Sequence, residues 1–395
     1  MAEIRLMATF FHDYQYGKVL GGVERRFVEL SNEFKKRKIK AFAVEYEPSL
    51  SKAMKVGYIS ITVKRKSGRN ILELVQIFRL GLLTALACRK SKCNVIYSTS
   101  SVYTNLITAY FASKICRIPF VVVFHSFPYQ NSSSILKDSI RVVRGMLGGS
   151  EAFTQAIINL LRNRAFASTK ACLTVSKATK DRLVCSFRPR LVLTTGNGIS
   201  GEWFMDIKTE KIYDGCYVGR ISPRKRIDFL LRIWKSVVEE KRDAKLVIVG
   251  GAESQRYFNH CLDIVKQLGL QDNVTFTGFV EDSVLRDILA SSKTFITTSE
   301  REGFGLAILE AMALKVPCIL PSLPALKENF KNCALFVGSD EPSEWSKAVL
   351  SLLYDRAKSQ SISERAYLNA LKYSWDSVAD KELLVLKQVV NSIQS

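Results

Sequence analysis

The feature that most constrains the fold is a regular alternation of short apolar runs with longer amphipathic ones. Short apolar runs between turn residues are typical of buried strands, and apolar residues three and four apart are typical of helices. The runs predicted as strands are 3–11, 40–46, 58–63, 94–99, 119–124, 171–175, 191–195, 215–218, 245–249, 273–277, 294–298, 317–320 and 334–337. The helical patterns between them include 23–37, 71–89, 228–241, 255–268, 283–291 and 306–314.

Strands that alternate with helices predict parallel sheets with helices on both faces. The 395 residues are enough for two cores, and a turn-rich segment at 195–201 separates two such runs. We therefore predict an α/β protein with two Rossmann-like domains, 1–200 and 201–374, whose parallel sheets face each other across a cleft. A helix at 375–395 is predicted to pack back on the first domain. Ligands of such sheets bind beyond the carboxyl ends of the strands.

Charge is distributed unevenly between the two halves. The formal net charge is +21, and residues 1–200 hold all of it, with 32 Lys+Arg against 11 Asp+Glu. Residues 201–395 hold 26 of each kind. An excess confined to one half indicates an anionic partner for that half: a nucleic acid, an acidic lipid surface or a phosphorylated substrate.

The nine cysteines are scattered, without a Cys-x-x-Cys pair. This pattern argues against a zinc site and a disulfide framework, and predicts a reducing, cytoplasmic compartment. The most apolar window, 71–90, carries Glu73 and Arg79, so no membrane-spanning segment is expected, and the segment that begins at residue 2 reads as a strand rather than a leader.

The most specific chemical signal lies between Glu302 and Glu310. A strand ends just before it, and Gly303, Phe304 and Gly305 then form a turn that opens a helix at Leu306. Glycines allow close backbone approach, and the free amides of a helix start favour a phosphate. One carboxylate lies at the mouth of this turn, and the other lies about five residues into the helix, roughly 7–8 Å along its axis. Such a pair suits the hydroxyls of an elongated sugar ligand.

Three further features lie at predicted strand ends. Arg220 and Lys225 place two cations where the next helix begins, an arrangement that calls for an anion such as a diphosphate. Gly21 and Gly22 open the first helix and form a second potential anion-binding site. His125 ends a predicted strand on the ligand side of its sheet.

In this order, these segments resemble glycosyltransferase family 4, the retaining glycosyltransferases of the GT-B fold. The resemblance covers nearly the whole chain and includes Asn197-Gly198-Ile199 at the domain junction. It implies an acceptor-side first domain and a second domain that binds a nucleotide sugar. The implied reaction is hexose transfer with retention of anomeric configuration.

The resemblance also implies roles for the residues above. Arg220 and Lys225 would neutralise the leaving diphosphate, with help from the amides of 303–306. Glu302 would orient the donor sugar and Glu310 the ribose, while His125 would contact the sugar in the oxocarbenium-like transition state. Gly21 and Gly22 would face the donor phosphates or the acceptor. The base would be read near Phe279 and Val280, largely through backbone.

No cofactor and no metal are expected, since the chain has no Asp-x-Asp pair and no Gly-x-x-x-x-Gly-Lys-Ser/Thr loop. The sequence departs from the family pattern at Arg226 and Lys315, where glycine is common, and at 250–253, where the family has a more regular glycine-spaced turn. Of these, Arg226 is the one that could alter phosphate contacts.

The expected partners are a nucleotide sugar, either UDP- or GDP-linked, a lipid-linked or glycan acceptor, and an anionic membrane surface. We predict that the first domain docks at the inner face of the cell membrane through a basic amphipathic helix at 135–147, with a second apolar stripe at 157–161. The alternatives are a sugar-nucleotide epimerase of the same fold and a basic nucleic-acid-binding protein. Against the latter, the chain has no recognised nucleic-acid module.

Overall fold

The computed structural model describes residues 3–11, 21–46, 57–63, 71–126, 150–187, 189–207 and 209–392. The chain forms two compact units, each with its own parallel sheet. The first unit holds the described residues up to Gly196 and again from Trp375 onward, and the second runs from Asn197 to Ser374. The α/β class and the two parallel sheets are as predicted.

The first unit is a seven-stranded sheet in the order β3-β2-β1-β4-β5-β6-β7. Its strands are β1 Arg5–Phe10, β2 Lys40–Tyr46, β3 Tyr58–Val63, β4 Val95–Ser98, β5 Phe120–Phe124, β6 Ala171–Thr174 and β7 Val192–Thr194. Its helices are α1 Gly22–Lys36, α2 Ile71–Lys90, α3 Tyr103–Cys116, α4 Ser150–Ser168, α5 Lys177–Phe187 and, at the end of the chain, Trp375–Asn391.

The second unit is a six-stranded sheet in the order β10-β9-β8-β11-β12-β13. Its strands are β8 Gly215–Val218, β9 Leu246–Val249, β10 Val274–Gly278, β11 Phe295–Ile296, β12 Cys318–Pro321 and β13 Leu335–Val337. Its helices are α6 Ile227–Glu240, α7 Gln255–Gln267, α8 Asp282–Ala290, α9 Leu306–Ala313, α10 Pro324–Phe330, α11 Pro342–Tyr354 and α12 Arg356–Ala370, and the helix Trp375–Asn391 of the first unit is numbered α13.

All the runs predicted as strands are strands, and the six helical patterns named above are helices. The central strands explain why the pattern was readable: β5 and β9 are buried along their whole length, as strands covered on both faces must be. Between the two runs of strands and helices, Gly196, Gly198 and Gly201 have the Gly-x-Gly-x-x-Gly spacing of a dinucleotide-binding motif. Only a single 3-10 turn at Gly201–Trp203 follows, so the segment does not open the helix that such a motif needs.

Helix α13 packs on α1 within the first unit. Its Glu382 carboxylate accepts a hydrogen bond from the Arg26 guanidinium at 2.5 Å and from the Tyr97 hydroxyl at 2.8 Å, and all three side chains are buried. Burial alone would lower the pKa of Arg26, but the charges and hydrogen bonds of Glu382 and Tyr97 together outweigh burial, and the pKa is raised. At the rim of the same contact, Arg37 of the α1 cap binds Asp376 and Asp380.

Helix α2 differs from the sequence-based expectation. Among the helices that the structure describes, it is the one long and apolar enough to cross a membrane by length and composition, and a third of its most apolar window is buried. One such helix is weak evidence for a span, because core helices meet the same test. Here Ile77, Leu80 and Ala85 are buried against the rest of the first unit.

Only one of the two predicted docking segments lies within the described residues. The segment 135–147 lies outside the described residues. In the stripe at 157–161, Ile158 is buried with Ile77 and Ile107, and Leu161 packs against the same cluster. That stripe therefore faces the protein, although Leu160 between these residues is exposed.

Candidate active site

The predicted donor-binding residues of the second unit lie in loops at the carboxyl edge of its sheet. Arg220 follows β8, Phe279 follows β10, and Glu302 follows β11. The loops touch: the Gly219 amide donates to the Val249 carbonyl, and the Gly250 amide donates to the Gly278 carbonyl. In a parallel sheet this shared edge is where ligands bind.

Two positions in these loops favour glycine, one for close backbone packing and both for a positive φ. Gly250 has a φ of +137°, and a Cβ there would lie 2.0 Å from the carbonyl oxygen of Gly219. Gly278 has a φ of +67° at the irregular end of β10. The segment 250–253, whose glycine spacing departs from the family pattern, thus still has a glycine where β8 and β9 meet. Phe279, which directly follows Gly278, is 39% exposed.

Lys225 and Glu302, predicted separately as a diphosphate ligand and a sugar ligand, form an ion pair with each other. Ser299 donates a second hydrogen bond to the same Glu302 oxygen at 2.9 Å. The Thr298 hydroxyl fixes the turn that carries Lys225 by donating to its carbonyl at 2.9 Å and to that of Arg226 at 3.0 Å.

These contacts follow from the order of the strands in the sheet. Strands β8 and β11 are neighbours, so the polar residues that end β11 meet the cationic turn that follows β8. The run Thr297-Thr298-Ser299 lies at the end of the predicted strand 294–298. Thr298 and Ser299 hold Lys225 and Glu302, and the signal in the sequence is three small hydroxyl residues shortly before Glu302.

Arg220 presents an exposed side chain beside this pair. Its carbonyl oxygen accepts a hydrogen bond from the buried Tyr217 hydroxyl at 3.1 Å, which fixes the backbone. Within the described part of the chain no carboxylate pairs with the Arg220 guanidinium, so a cation at the sheet edge is available to an anion from solution.

The helix start is built as predicted. Gly305 caps α9 with a φ of +97°, and a Cβ there would lie 2.7 Å from Ile308 Cδ1. Phe304 is buried and packs edge-on against Tyr373, which holds the turn against the body of the unit. Glu310 lies on the second turn and is only 6% exposed. The amides at 303–306 therefore form a fixed, electropositive helix end.

Arg226 and Lys315, the two departures from the family's glycines, share a backbone conformation. Their φ values are +52° and +56°, in the left-handed region that glycine adopts most easily. The Arg226 side chain is directed to Asp340 at 2.6 Å and over the Phe229 ring at 4.3 Å. The structure thus explains the family's preference for glycine and shows the Arg226 charge already occupied by another partner.

His125 lies in the first unit, directly after β5 and half-buried. Its Nε2 donates to the Thr99 carbonyl at 2.9 Å, which leaves Nδ1 as the hydrogen-bond acceptor. Burial, and then the nearby Arg26 charge, lower the pKa of His125 to about 3. The imidazole is therefore neutral at physiological pH and cannot itself supply positive charge.

Gly21 and Gly22 also belong to the first unit. Gly21 caps α1 in an extended conformation, and its carbonyl accepts the first helical hydrogen bond, from the Arg25 amide at 2.9 Å. Because α1 connects the parallel strands β1 and β2, this helix start lies at the carboxyl edge of the first sheet. An added Cβ on Gly21 would lie 2.5 Å from Glu24 Oε2.

Metal-binding chemistry has little to build on in the described residues. No group of three or more His, Cys, Asp or Glu side chains there is placed to hold an ion. The nine cysteines are free thiols, eight of them wholly or partly buried.

Two family models match the chain in succession. Glycosyltransferase Family 4 matches residues 20–202, and Glycosyl transferases group 1 matches residues 207–369. An uncharacterized glycosyltransferase of Methanocaldococcus jannaschii is 28% identical over 295 residues, which are 69% of this chain and 70% of that one. The O-antigen chain mannosyltransferase B of Escherichia coli is 28% identical over 175 residues, and the match covers 43% of this chain and 45% of that protein.

Solved structures show the same fold. Anabaena Alr3699/HepE in complex with UDP and glucose has a TM-score of 0.75 at 15% identity, covering 97% of this chain and 99% of that one. A sucrose-phosphate synthase from Thermosynechococcus elongatus has a TM-score of 0.77 at 14% identity, covering 98% and 100%. The fold is thus GT-B, and the chain belongs to the family 4, group 1 glycosyltransferases, as a transferase enzyme.

Proposed function

We propose that this enzyme transfers a hexose, with retention of anomeric configuration and without a divalent metal, from a UDP- or GDP-sugar to a lipid-linked or glycan acceptor. The observation that supports the proposal is that Arg220, Lys225 and the start of α9 all lie at the carboxyl edge of the second sheet, where their positive charge suits a diphosphate. A UDP complex of a similar fold and a mannosyltransferase relative support the donor class.

The Lys225–Glu302 pair suggests how the donor is received. A diphosphate carries more charge than one carboxylate, so it competes with Glu302 for the Lys225 ammonium. The exchange leaves Glu302 able to accept hydrogen bonds from sugar hydroxyls, while Lys225 and Arg220 face the leaving group. Stabilising the charge that develops on the departing diphosphate is then the main electrostatic contribution to the rate.

The other residues receive roles consistent with their surroundings. Buried Glu310 holds the ribose, and the backbone around Phe279 and Val280 reads the base. Neutral His125 accepts a hydrogen bond from a donor-sugar hydroxyl at Nδ1, a refinement of its predicted contact with the sugar. Gly21 and Gly22 leave room for the donor phosphates or the acceptor at the start of α1.

The proposal includes a location at the cytoplasmic face of the cell membrane, with the first unit toward an anionic surface. The charge excess of residues 1–200 and the free thiols support it.

Product analysis tests the chemistry. UDP- and GDP-sugars are screened by thermal shift, because a ligand at 100 times its Kd stabilises the protein by about 2.7 kcal/mol. The best donor is then incubated with acceptors in excess chelator, and the product is analysed by proton NMR. We expect the anomeric configuration of the donor to be kept. An inverted product, a metal-restorable loss of transfer, or an epimerised nucleotide sugar without acceptor would each contradict the proposal.

A further inference from the structure

Helix α2 carries large apolar side chains on its outer face. Leu72 is 67% exposed, Val75 59%, Leu82 45% and Leu86 53%. When exposed Phe78 is included, successive members from Leu72 onward are three or four residues apart, which places them on one side of the helix together with exposed Ile71. The result is a continuous apolar stripe on a helix of 20 residues, about 30 Å long at 1.5 Å per residue.

The same face is cationic. Arg79, Arg89 and Lys90 are exposed on α2 itself. Its one acidic residue, Glu73, is half-buried and accepts a hydrogen bond from the Tyr103 hydroxyl. The exposed face thus combines apolar side chains with positive charge and offers no carboxylate.

More cations surround one end of the stripe. The Arg89 guanidinium donates to the Ile115 carbonyl at 2.8 Å, which places the end of α2 beside the end of α3. Exposed Lys92 follows α2, and exposed Lys114 and Arg117 lie at the end of α3. Long basic side chains at the border of an apolar surface can lay their stems on it and keep their charges in a polar layer.

We propose that the outer face of α2 is a membrane-docking surface that lies in the headgroup layer of an anionic lipid bilayer. The partner must be apolar to cover the stripe and negatively charged to match the cations, and an anionic bilayer surface combines both properties. The inner face of α2 is packed against the first unit, which orients the helix along the bilayer plane rather than across it.

A second copy of the chain fits this face poorly. In a two-fold contact each subunit presents the same patch, so two cationic faces that carry Arg79, Arg89 and Lys90 would be brought together. Like charges brought together in an apolar interface repel strongly. The charge argument thus favours lipid over self-association.

The inference rests on the membrane part of the proposed function and names a different surface from the predicted segment 135–147. Sedimentation of the full chain with phosphatidylcholine vesicles, with or without phosphatidylglycerol, tests it. The apolar variant Leu82→Gln/Leu86→Gln keeps good helix formers, and Arg79→Glu reverses one charge. The matched controls in the second unit are Leu368→Gln/Leu371→Gln, at equally exposed leucines, and Arg232→Glu, at an exposed arginine in α6.

We expect binding only with phosphatidylglycerol, weakened by added salt. Loss of one cation weakens binding roughly fivefold, and reversal at Arg79 weakens it further. The apolar variant is expected to lose roughly tenfold, since two leucines no longer enter the headgroup boundary. The controls should bind like the wild type, and thermal melts should show that all variants are folded.

Several results would overturn the proposal. Wild-type-like binding of both α2 variants places docking elsewhere, and loss of binding in Arg141→Glu/Arg144→Glu would assign it to 135–147. A dimer in solution that the apolar variant dissociates identifies a second copy as the occupant. Binding of nucleoside diphosphate, measured on the same samples, separates the two proposals. If the protein docks through α2 but does not bind the nucleotide, the proposed enzyme mechanism is wrong and the docking surface stands.

Discussion

In the first unit the Arg26 guanidinium is sealed inside the protein against Glu382, whereas in the second unit the Lys225 ammonium meets Glu302 at a partly open edge. Both are ion pairs, but their side chains are 2% and 0% exposed in one case and 22% and 17% in the other. A fully buried pair cannot exchange its partner, because each charge would be left without compensation. A pair at a sheet edge can trade its partner for a ligand.

The first pair is therefore structural, whereas the second lies where a ligand can reach it, as the proposed donor site requires. Arg26 also donates to Tyr97 at 3.1 Å and to Thr195 at 2.9 Å, so the pair ties α1, β4, the end of β7 and α13 together. The substitutions below test the two units separately.

The largest effect is expected from Glu382→Gln, which leaves the Arg26 charge buried without its carboxylate. The free energy of unfolding of the first unit should fall by roughly 3–5 kcal/mol, measured by denaturant titration. The double variant Arg26→Met/Glu382→Leu is the control and should lose less than the single variant, since no unpaired charge remains. Equal losses in both would show that packing, and not charge, carries the contact.

Lys225→Ala should instead leave stability nearly unchanged and lower turnover by about 100- to 1000-fold, since one electrostatic contact to the leaving group is removed. Glu310→Gln, chosen to keep the volume of a buried side chain, is expected to act in the same direction. Steady-state kinetics and melts on the same samples make the measurement. Arg224→Ala, at an exposed arginine of the same turn, is the matched control; an equal loss there would point to a diffuse basic patch.

His125 gives the stability of the first unit a pH dependence. Its pKa of about 3 in the folded state lies below the ordinary value near 6.5, so the unfolded chain binds the proton more readily. Stability from this group is complete above pH 6.5 and is lost as pH falls toward 3, by at most about 1.4 kcal/mol per pH unit. His125→Gln should flatten that loss; parallel stability curves for both proteins would refute the assignment.

The smallest effect is expected from Arg226→Gly. Relief of a left-handed backbone gains about 1–2 kcal/mol, while loss of the exposed Asp340 pair and of the Phe229 contact costs roughly the same. Stability and turnover should both stay close to the wild type. A tenfold loss of turnover would mean that Arg226 contacts the diphosphate after all.

In both units the sequence could predict features that are local along the chain, but not contacts between distant residues. Strand and helix positions were readable because parallel strands are buried on both faces and give unbroken apolar runs, as in β5 and β9. The donor edge was readable because its glycines and charges are local in sequence. Gly303 to Glu310 is a single turn and helix, and the cations at 220–225 follow one strand.

Long-range polar contacts were not readable. Arg26 and Glu382 are separated by 356 positions, and neither lies in a pattern that marks it as buried. The pairing of Lys225 with Glu302 spans 77 positions and depends on β8 and β11 being neighbours in the sheet. The outer stripe of α2 was not readable either, since the periodicity of the helical pattern 71–89 does not tell which of its faces a neighbouring helix covers.

The central claim is that cationic side chains at the edge of the second sheet, and not a metal, receive the donor diphosphate. Calorimetric titration of UDP and GDP into wild type and Lys225→Ala, in excess chelator, tests it most directly. The account predicts that at least one nucleotide binds the wild type under chelation and binds Lys225→Ala at least tenfold more weakly, about 1.4 kcal/mol. Binding that appears only when a divalent metal is restored, or equal affinity in both proteins, would contradict it.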